Sequence, residues 1–284
     1  MNSIKKMMLS GALGCLISGM AYADGSSPQP VKPYWQDIQV VAVNKEKPRS
    51  SFMSYADRET ALTSRFEKSP YYSLLNGTWK FFFVDSYKDL PQNITDPSVN
   101  TSSWDDITVP GNWEVQGHGV AIYTNHGYEF KPKNPQPPLL PEANPVGVYR
   151  RDIEIPANWD NRDIYLHIGG AKSGLYVYLN GKEVGYSEDS KNPAEFLINK
   201  YLQPGKNVLT LKIFRWSTGS YLECQDFWRM SGIERDVFLW SQPKASIQDF
   251  RVVSTLDDTY TNGIFKLAVD LKNHTQETKN LNVG

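Results

Sequence analysis

The 284-residue chain carries 30 Lys and Arg against 31 Asp and Glu, a formal net charge of -1, with no long run of either sign. That balance excludes the basic footprint of a nucleic-acid partner. Hydrophobic residues make up 40% and aromatics 13%, enough for a sizeable core and a share suited to β-sheet interiors or sugar-contacting surfaces.

The first 23 residues read as a secretory signal. Lys5 and Lys6 form a charged start, "MMLSGALGCLISGM" an apolar stretch too short to span a bilayer comfortably, and Ala21-Tyr22-Ala23 an A-x-A cleavage site. A second reading stays open, in which "ALGC" is a lipobox and Cys15 is acylated, although apolar residues continue past it. Either way the chain is exported, to the periplasm or beyond. Of the 2 Cys, only Cys224 survives signal removal, so no intrachain disulfide is expected and an apolar core must supply the stability. The 4 His are scattered and no CxxC occurs, which argues against a zinc site.

Residues 24–69 read as an N-terminal extension: a polar, Pro-rich leader, then "YADRETALTSRFEKSP", the one stretch with helical character, expected to hold a short helix and closed by Pro70. From Thr78 the pattern is that of strands. "TWKFFFVD" is a short aromatic run. "NRDIYLHIGG" places Ile164, Leu166 and Ile168 on one face, "GLYVYLNGKEVGYS" places Leu175, Val177 and Leu179 on one face, and "NVLTLKIFRW" does the same with Leu209, Leu211 and Ile213. Asn180-Gly181 predicts a tight hairpin turn with positive φ at both positions. Many short strands and almost no helix predict an all-β fold, with a jelly-roll β-sandwich over residues 70–243.

Two segments stand out from the strands. Val109 to Pro145 is long, Pro-rich and free of strand pattern, yet Trp113, Ile122, Tyr123, Tyr128 and Phe130 need something to pack on. It is expected to be an ordered, aromatic-anchored loop at one end of the sandwich. Gly219 to Val237, "GSYLECQDFWRMSGIERDV", sets Glu223, Asp226, Glu234 and Asp236 among aromatics and arginines. After Trp240 the texture changes. "ASIQDFRVVSTL" and "GIFKLAVDLKN" read as two strands of a new sheet over residues 244–284, the truncated start of an immunoglobulin-like sandwich, since two strands alone are not stable.

The blocks "LNGTWKF", "WDDITVPGNWEVQGHGVAIYTN", "NPVGVYRRDIEIP", "LNGKEVGYSEDSKNPAEF" and "RWSTGSYLECQDFWRMSGIERDVFL" resemble, in order, the amino-terminal part of glycoside hydrolase family 2, and within it the lac-type β-galactosidases. The resemblance runs from about Tyr34 to Phe250. It implies a modular retaining enzyme acting on terminal β-D-galactosides: a jelly-roll, galactose-binding-like sugar-binding domain, an immunoglobulin-like domain, and a (β/α)₈ barrel that carries both catalytic Glu residues. That barrel is not in this chain, so none of its residues is assigned a catalytic role and the chain alone is expected to be inactive. The resemblance makes Asn125, in "AIYTN", a galactose contact. It makes Asp226, in "YLECQDFW", a contact to the sugar's 6-hydroxyl and a sodium ligand, the other ligands belonging to the missing barrel. It also implies magnesium in the full-length enzyme, the barrel as partner, and a homo-oligomer. Cys224 stands where the family usually has an acidic residue.

The chemistry fits these roles. An amide offers donor and acceptor together for vicinal hydroxyls, and a carboxylate offers a hard oxygen to a cation. Plainer readings exist: Asp226 capping local amides, Asn125 as a turn residue. Glu223 and Glu234 make a poor catalytic pair, with Arg229 and Arg235 as expected ion-pair partners. Trp113 and Trp228 could stack on sugar, with packing the commoner use. Other expectations remain open: a stand-alone carbohydrate-binding module, or a family 2 enzyme for β-glucuronides or β-mannosides.

Overall fold

The computed structural model describes residues 32–130 and 134–280. The expected signal segment, its expected cleavage site and Cys15 lie outside the described residues. The fold is best followed outward from Asn180-Gly181, whose φ values of 53° and 78° are those the dipeptide predicts. This turn joins Gly174–Leu179 to Lys182–Ser187 and starts an antiparallel sheet of seven strands. Beyond Gly174–Leu179 the sheet continues through Lys206–Phe214, Val146–Glu154, Gly77–Val84 and Asp105–Val109, with the short strand Ala42–Val43 at the opposite edge.

A second antiparallel sheet holds four strands in the order Ala194–Leu197, Arg162–Ile168, Val237–Pro243 and Tyr72–Leu74. The two sheets meet on the faces read from the sequence. Leu175, Val177, Leu179, Leu209, Leu211 and Ile213 from the first sheet share one buried cluster with Ile164, Leu166 and Ile168 from the second. Each fully buried aliphatic side chain contributes about 1.5–3 kcal/mol, so this layer dominates stability. The protein is an all-β sandwich.

Both outer faces are also covered. Tyr176, Tyr186 and Phe214, on the far side of the large sheet, pack against Trp35, with Val40 and Val43 alongside. Tyr165, Phe238 and Trp240, on the far side of the small sheet, pack against Met53, Tyr55 and Phe66. The extension therefore clasps the sandwich on two sides. Its short helix is Arg58–Leu62, within the stretch the sequence predicts, capped by Asp57 accepting from the Thr60 amide. The left-handed Ser64, φ 53°, interrupts it before a single 3₁₀ turn at Phe66–Lys68.

The two strands expected beyond Trp240 form a hairpin, Ala245–Leu256 with Gly263–Asn273. No helix among the described residues is long and apolar enough to cross a membrane.

Candidate functional site

Asn125 and Asp226 lie a hundred residues apart in sequence, and a small ribbon brings them together. Ile122–Thr124 pairs with Phe227–Arg229, with Thr124 opposite Phe227, Tyr123 opposite Trp228 and Ile122 opposite Arg229. One step beyond Thr124 and Phe227, this register sets Asn125 against Asp226. Both are exposed. Alternation along the ribbon puts Tyr123, Asn125, Asp226 and Trp228 on one face and Ile122, Thr124, Phe227 and Arg229 on the other. The first face is open: Tyr123 is 58% and Trp228 52% exposed, their ring centroids 5.5 Å apart. The Tyr123 hydroxyl donates to Asp226 Oδ1 at 3.3 Å, leaving Oδ2 free of partners among the described residues. No hydrogen bond engages the Asn125 amide among them either.

The two tryptophans divide. Trp113 is fully buried, its Nε1 donating to the Tyr149 hydroxyl at 2.7 Å, so it is a packing residue. Trp228 stands on the open face. The carboxylates flanking Asp226 are engaged elsewhere, and not by the arginines that the sequence suggests. Glu223 accepts from the Ser190 amide and hydroxyl, at 3.0 and 2.6 Å, while Arg229 bonds only its backbone carbonyl, at 2.9 Å. Glu234 pairs with Lys191 at 2.5 Å, and Arg235 reaches the Gly169 carbonyl at 3.2 Å.

Beneath the ribbon lies a buried charge cluster that sequence reading missed. Lys172 Nζ is 3.1 Å from Glu129 Oε1, with side chains 2% and 6% exposed. Arg215 lies 3.6 Å from Glu114 and 3.8 Å from Glu129. Glu114 also accepts from the Ser231 amide at 2.9 Å; burial still pushes its carboxyl above the ordinary value, against the pull of that amide and of Arg215. Arg229, 1% exposed, stacks over the Phe227 ring at 4.8 Å. Glu114 and Glu129 belong to the long loop, Lys172 and Arg215 to sandwich strands or their ends. The cluster thus ties the loop carrying Asn125 to the scaffold, helped by Tyr128 and Phe130, which pack on Tyr221 at 4.9 and 5.2 Å. Glu188 does the same for the Asp226 side, accepting from the Thr218 hydroxyl and the Gly219 amide at 2.6 and 2.8 Å. Burial raises its carboxyl above the ordinary value, against the pull of these bonds. Cys224 donates to the Ser220 carbonyl at 3.1 Å, and burial raises its thiol.

The sugar binding domain of glycosyl hydrolases family 2 matches residues 72–243. The chain belongs to this family. Curated relatives in the family include a β-galactosidase of Priestia megaterium, 40% identical over 85% of this chain and 24% of the relative. Another, from Psychromonas ingrahamii, is 37% identical over 86% of this chain and 23% of its own length. The chain thus spans about a quarter of the length of these family 2 relatives. Among solved structures, a β-glucuronidase of Bacteroides uniformis superposes with a TM-score of 0.56, at 21% identity, over 72% of this chain and 22% of that one. A β-glycosidase of Bacteroides vulgatus gives 0.53 at 22% identity, over 72% and 25%. At such identity these two speak for the sandwich fold alone.

Proposed function

We propose that the chain supplies one wall of the galactose pocket of an exported, retaining β-galactosidase. The observation that carries this reading is the ribbon register that sets Asn125 beside Asp226 on an open, aromatic-flanked face. Asn125 offers donor and acceptor to a vicinal hydroxyl pair, and the free oxygen of Asp226 accepts from the sugar's 6-hydroxyl. The relatives named β-galactosidase, at 37–40% identity, support galactosides over the glucuronides of the more distant structures.

Retaining hydrolysis needs two carboxyl groups about 5–5.5 Å apart across the glycosidic bond. Glu223 and Glu234 are held by Ser190 and Lys191, so neither serves. The acid/base and nucleophile belong to the catalytic barrel that we assign to the whole enzyme. The exposed carboxylate of Asp226 fits one position of a sodium shell, with the remaining oxygens coming from that barrel. A bound sodium would supply a fixed positive charge near the 6-hydroxyl. No group of three His, Cys, Asp or Glu among the described residues could hold a metal unaided, and we place the magnesium and the oligomer contacts in the full-length enzyme.

The test is kinetic. The full-length polypeptide should hydrolyse nitrophenyl β-galactoside in preference to the β-glucuronide and β-mannoside. Asp226→Ala should lower kcat/KM at least about 100-fold, and the 284-residue chain alone should give no turnover. Hydrolysis by that chain alone, or indifference to Asp226→Ala, overturns the reading. Fractionation of the native cells checks export.

A further inference from the structure

The outer face of the small sheet carries a second candidate site, away from Asn125 and Asp226. Its centre is Glu195, a buried carboxylate with four donors. Arg49 contributes Nε and Nη2, both at 2.9 Å, Trp240 Nε1 at 3.1 Å, and His167 Nδ1 at 2.8 Å. Burial works against ionisation of Glu195, but the bonds from His167 and Arg49 outweigh it and hold the carboxyl below its ordinary value. Glu195 engages Nδ1 of His167 and so orients the ring, leaving Nε2 as the nitrogen open to a ligand. That nitrogen has no partner among the described residues, and His167 lines a cavity of about 360 Å³. Cavities of this size, apolar with a few placed polar groups, are the usual form of small-molecule sites.

The lining specifies the ligand. Met53, Phe66 and Phe238 make an apolar floor, and the His167 ring stacks on Phe238 with centroids 4.2 Å apart. At the rim, Asn192 donates its Nδ2 to Asp189 at 3.1 Å, so its side-chain oxygen is a second acceptor. Lys45 gives one proton to Ser187 at 3.2 Å and keeps others. The lining sets Lys45, Lys47 and Arg49 against Glu46, Asp189 and Glu195, so its formal charges balance and it calls for no net charge on a ligand. The wall is firm: the Glu46 amide donates to the Glu195 carbonyl and the Ser50 amide to Asp249, both at 2.8 Å.

We propose that this cavity binds a neutral, hydroxylated ring of monosaccharide size. Its hydroxyls hydrogen-bond to His167 Nε2, donate to Asn192, accept from Lys45, and its C–H face rests on Phe66. The site is separate from the pocket proposed above and survives that reading's failure.

Titration of the ¹⁵N-labelled 284-residue chain with galactose, glucose, N-acetylglucosamine, inorganic phosphate and glycine tests it. At least one saccharide should give saturable shifts at His167 Nε2 and the Asn192 amide, with a Kd of about 1 mM, unchanged in Asp226→Ala. His167→Phe should weaken binding at least about tenfold. If that variant misfolds, Asn192→Leu, at the exposed rim, carries the same expectation. No saturable shift with any saccharide at about 10 mM, saturation by phosphate or glycine instead, or shifts that vanish in Asp226→Ala overturn the proposal.

Discussion

The long loop from Val109 to Pro145 and the hairpin Ala245–Leu256/Gly263–Asn273 are both appendages to the sandwich, and they are held in opposite ways. The loop is sparse in regular structure, but it is nailed down by buried groups: Trp113 in the core, Glu114 and Glu129 against Arg215 and Lys172. The hairpin has eleven paired positions and long regular strands, yet Phe265, Leu267, Leu271 and Val252 stay exposed along it. Its main ties are at the root. There Asp163 accepts from His274 Nδ1 at 2.7 Å and lies 3.2 Å from Lys272, and Ser50 donates to Asp249. Backbone regularity and tertiary anchoring are therefore separate properties, and the irregular segment is the one suited to aim a side chain.

The largest expected effect is on the loop. Trp113→Ala should cost about 3–5 kcal/mol of unfolding free energy, because the site is fully buried and the Tyr149 hydroxyl loses its donor. Chemical denaturation checks this, and a loss under about 1 kcal/mol would mean that the loop packs independently of the core. Lys172→Met should cost about 3 kcal/mol, since among the described residues it leaves Glu129 buried with only Arg215, at 3.8 Å. Adding Glu129→Leu should recover most of that loss, while hydrogen exchange at Ile122 to Thr124 should stay faster than in the parent chain. If the double variant keeps full protection there, the charge cluster does not position the ribbon. The smallest effect belongs to the hairpin. Phe265→Ser, at an exposed position, should shift stability by less than about 0.5 kcal/mol in chemical denaturation. A larger loss would place Phe265 in a packed environment and erase the contrast.

The strands were legible because their side chains alternate against a single layer, and period two survives in sequence whatever the partner. Asn180-Gly181 was legible for the same local reason: few residues accept φ of 53° and 78° in succession. The short helix was legible because Asp57 caps it, while nothing in the residue pattern announces the left-handed Ser64 that ends it. Asn125 and Asp226 were found by resemblance, and only the ribbon register shows that they adjoin. The cluster of Glu114, Glu129, Lys172, Arg215 and Arg229 left no local signature. Its ion pairs span 43 to 101 positions, and no spacing rule reaches so far. The arginines near Glu223 and Glu234 misled for the converse reason, as nearness in sequence was mistaken for nearness of charge.

The clasp formed by the extension bears on where this domain can be cut. The family match opens at Tyr72, but the wrapping side chains come earlier: Trp35 stacks on Phe214 at 5.0 Å, and Met53 and Phe66 shield Phe238 and Trp240. A piece excised at the homology boundary would enter water with two bare aromatic flanks, a shape inclined to precipitate. Any crystallographer or protein engineer trimming this polypeptide should treat residues 34–71 as part of the body and not as packaging.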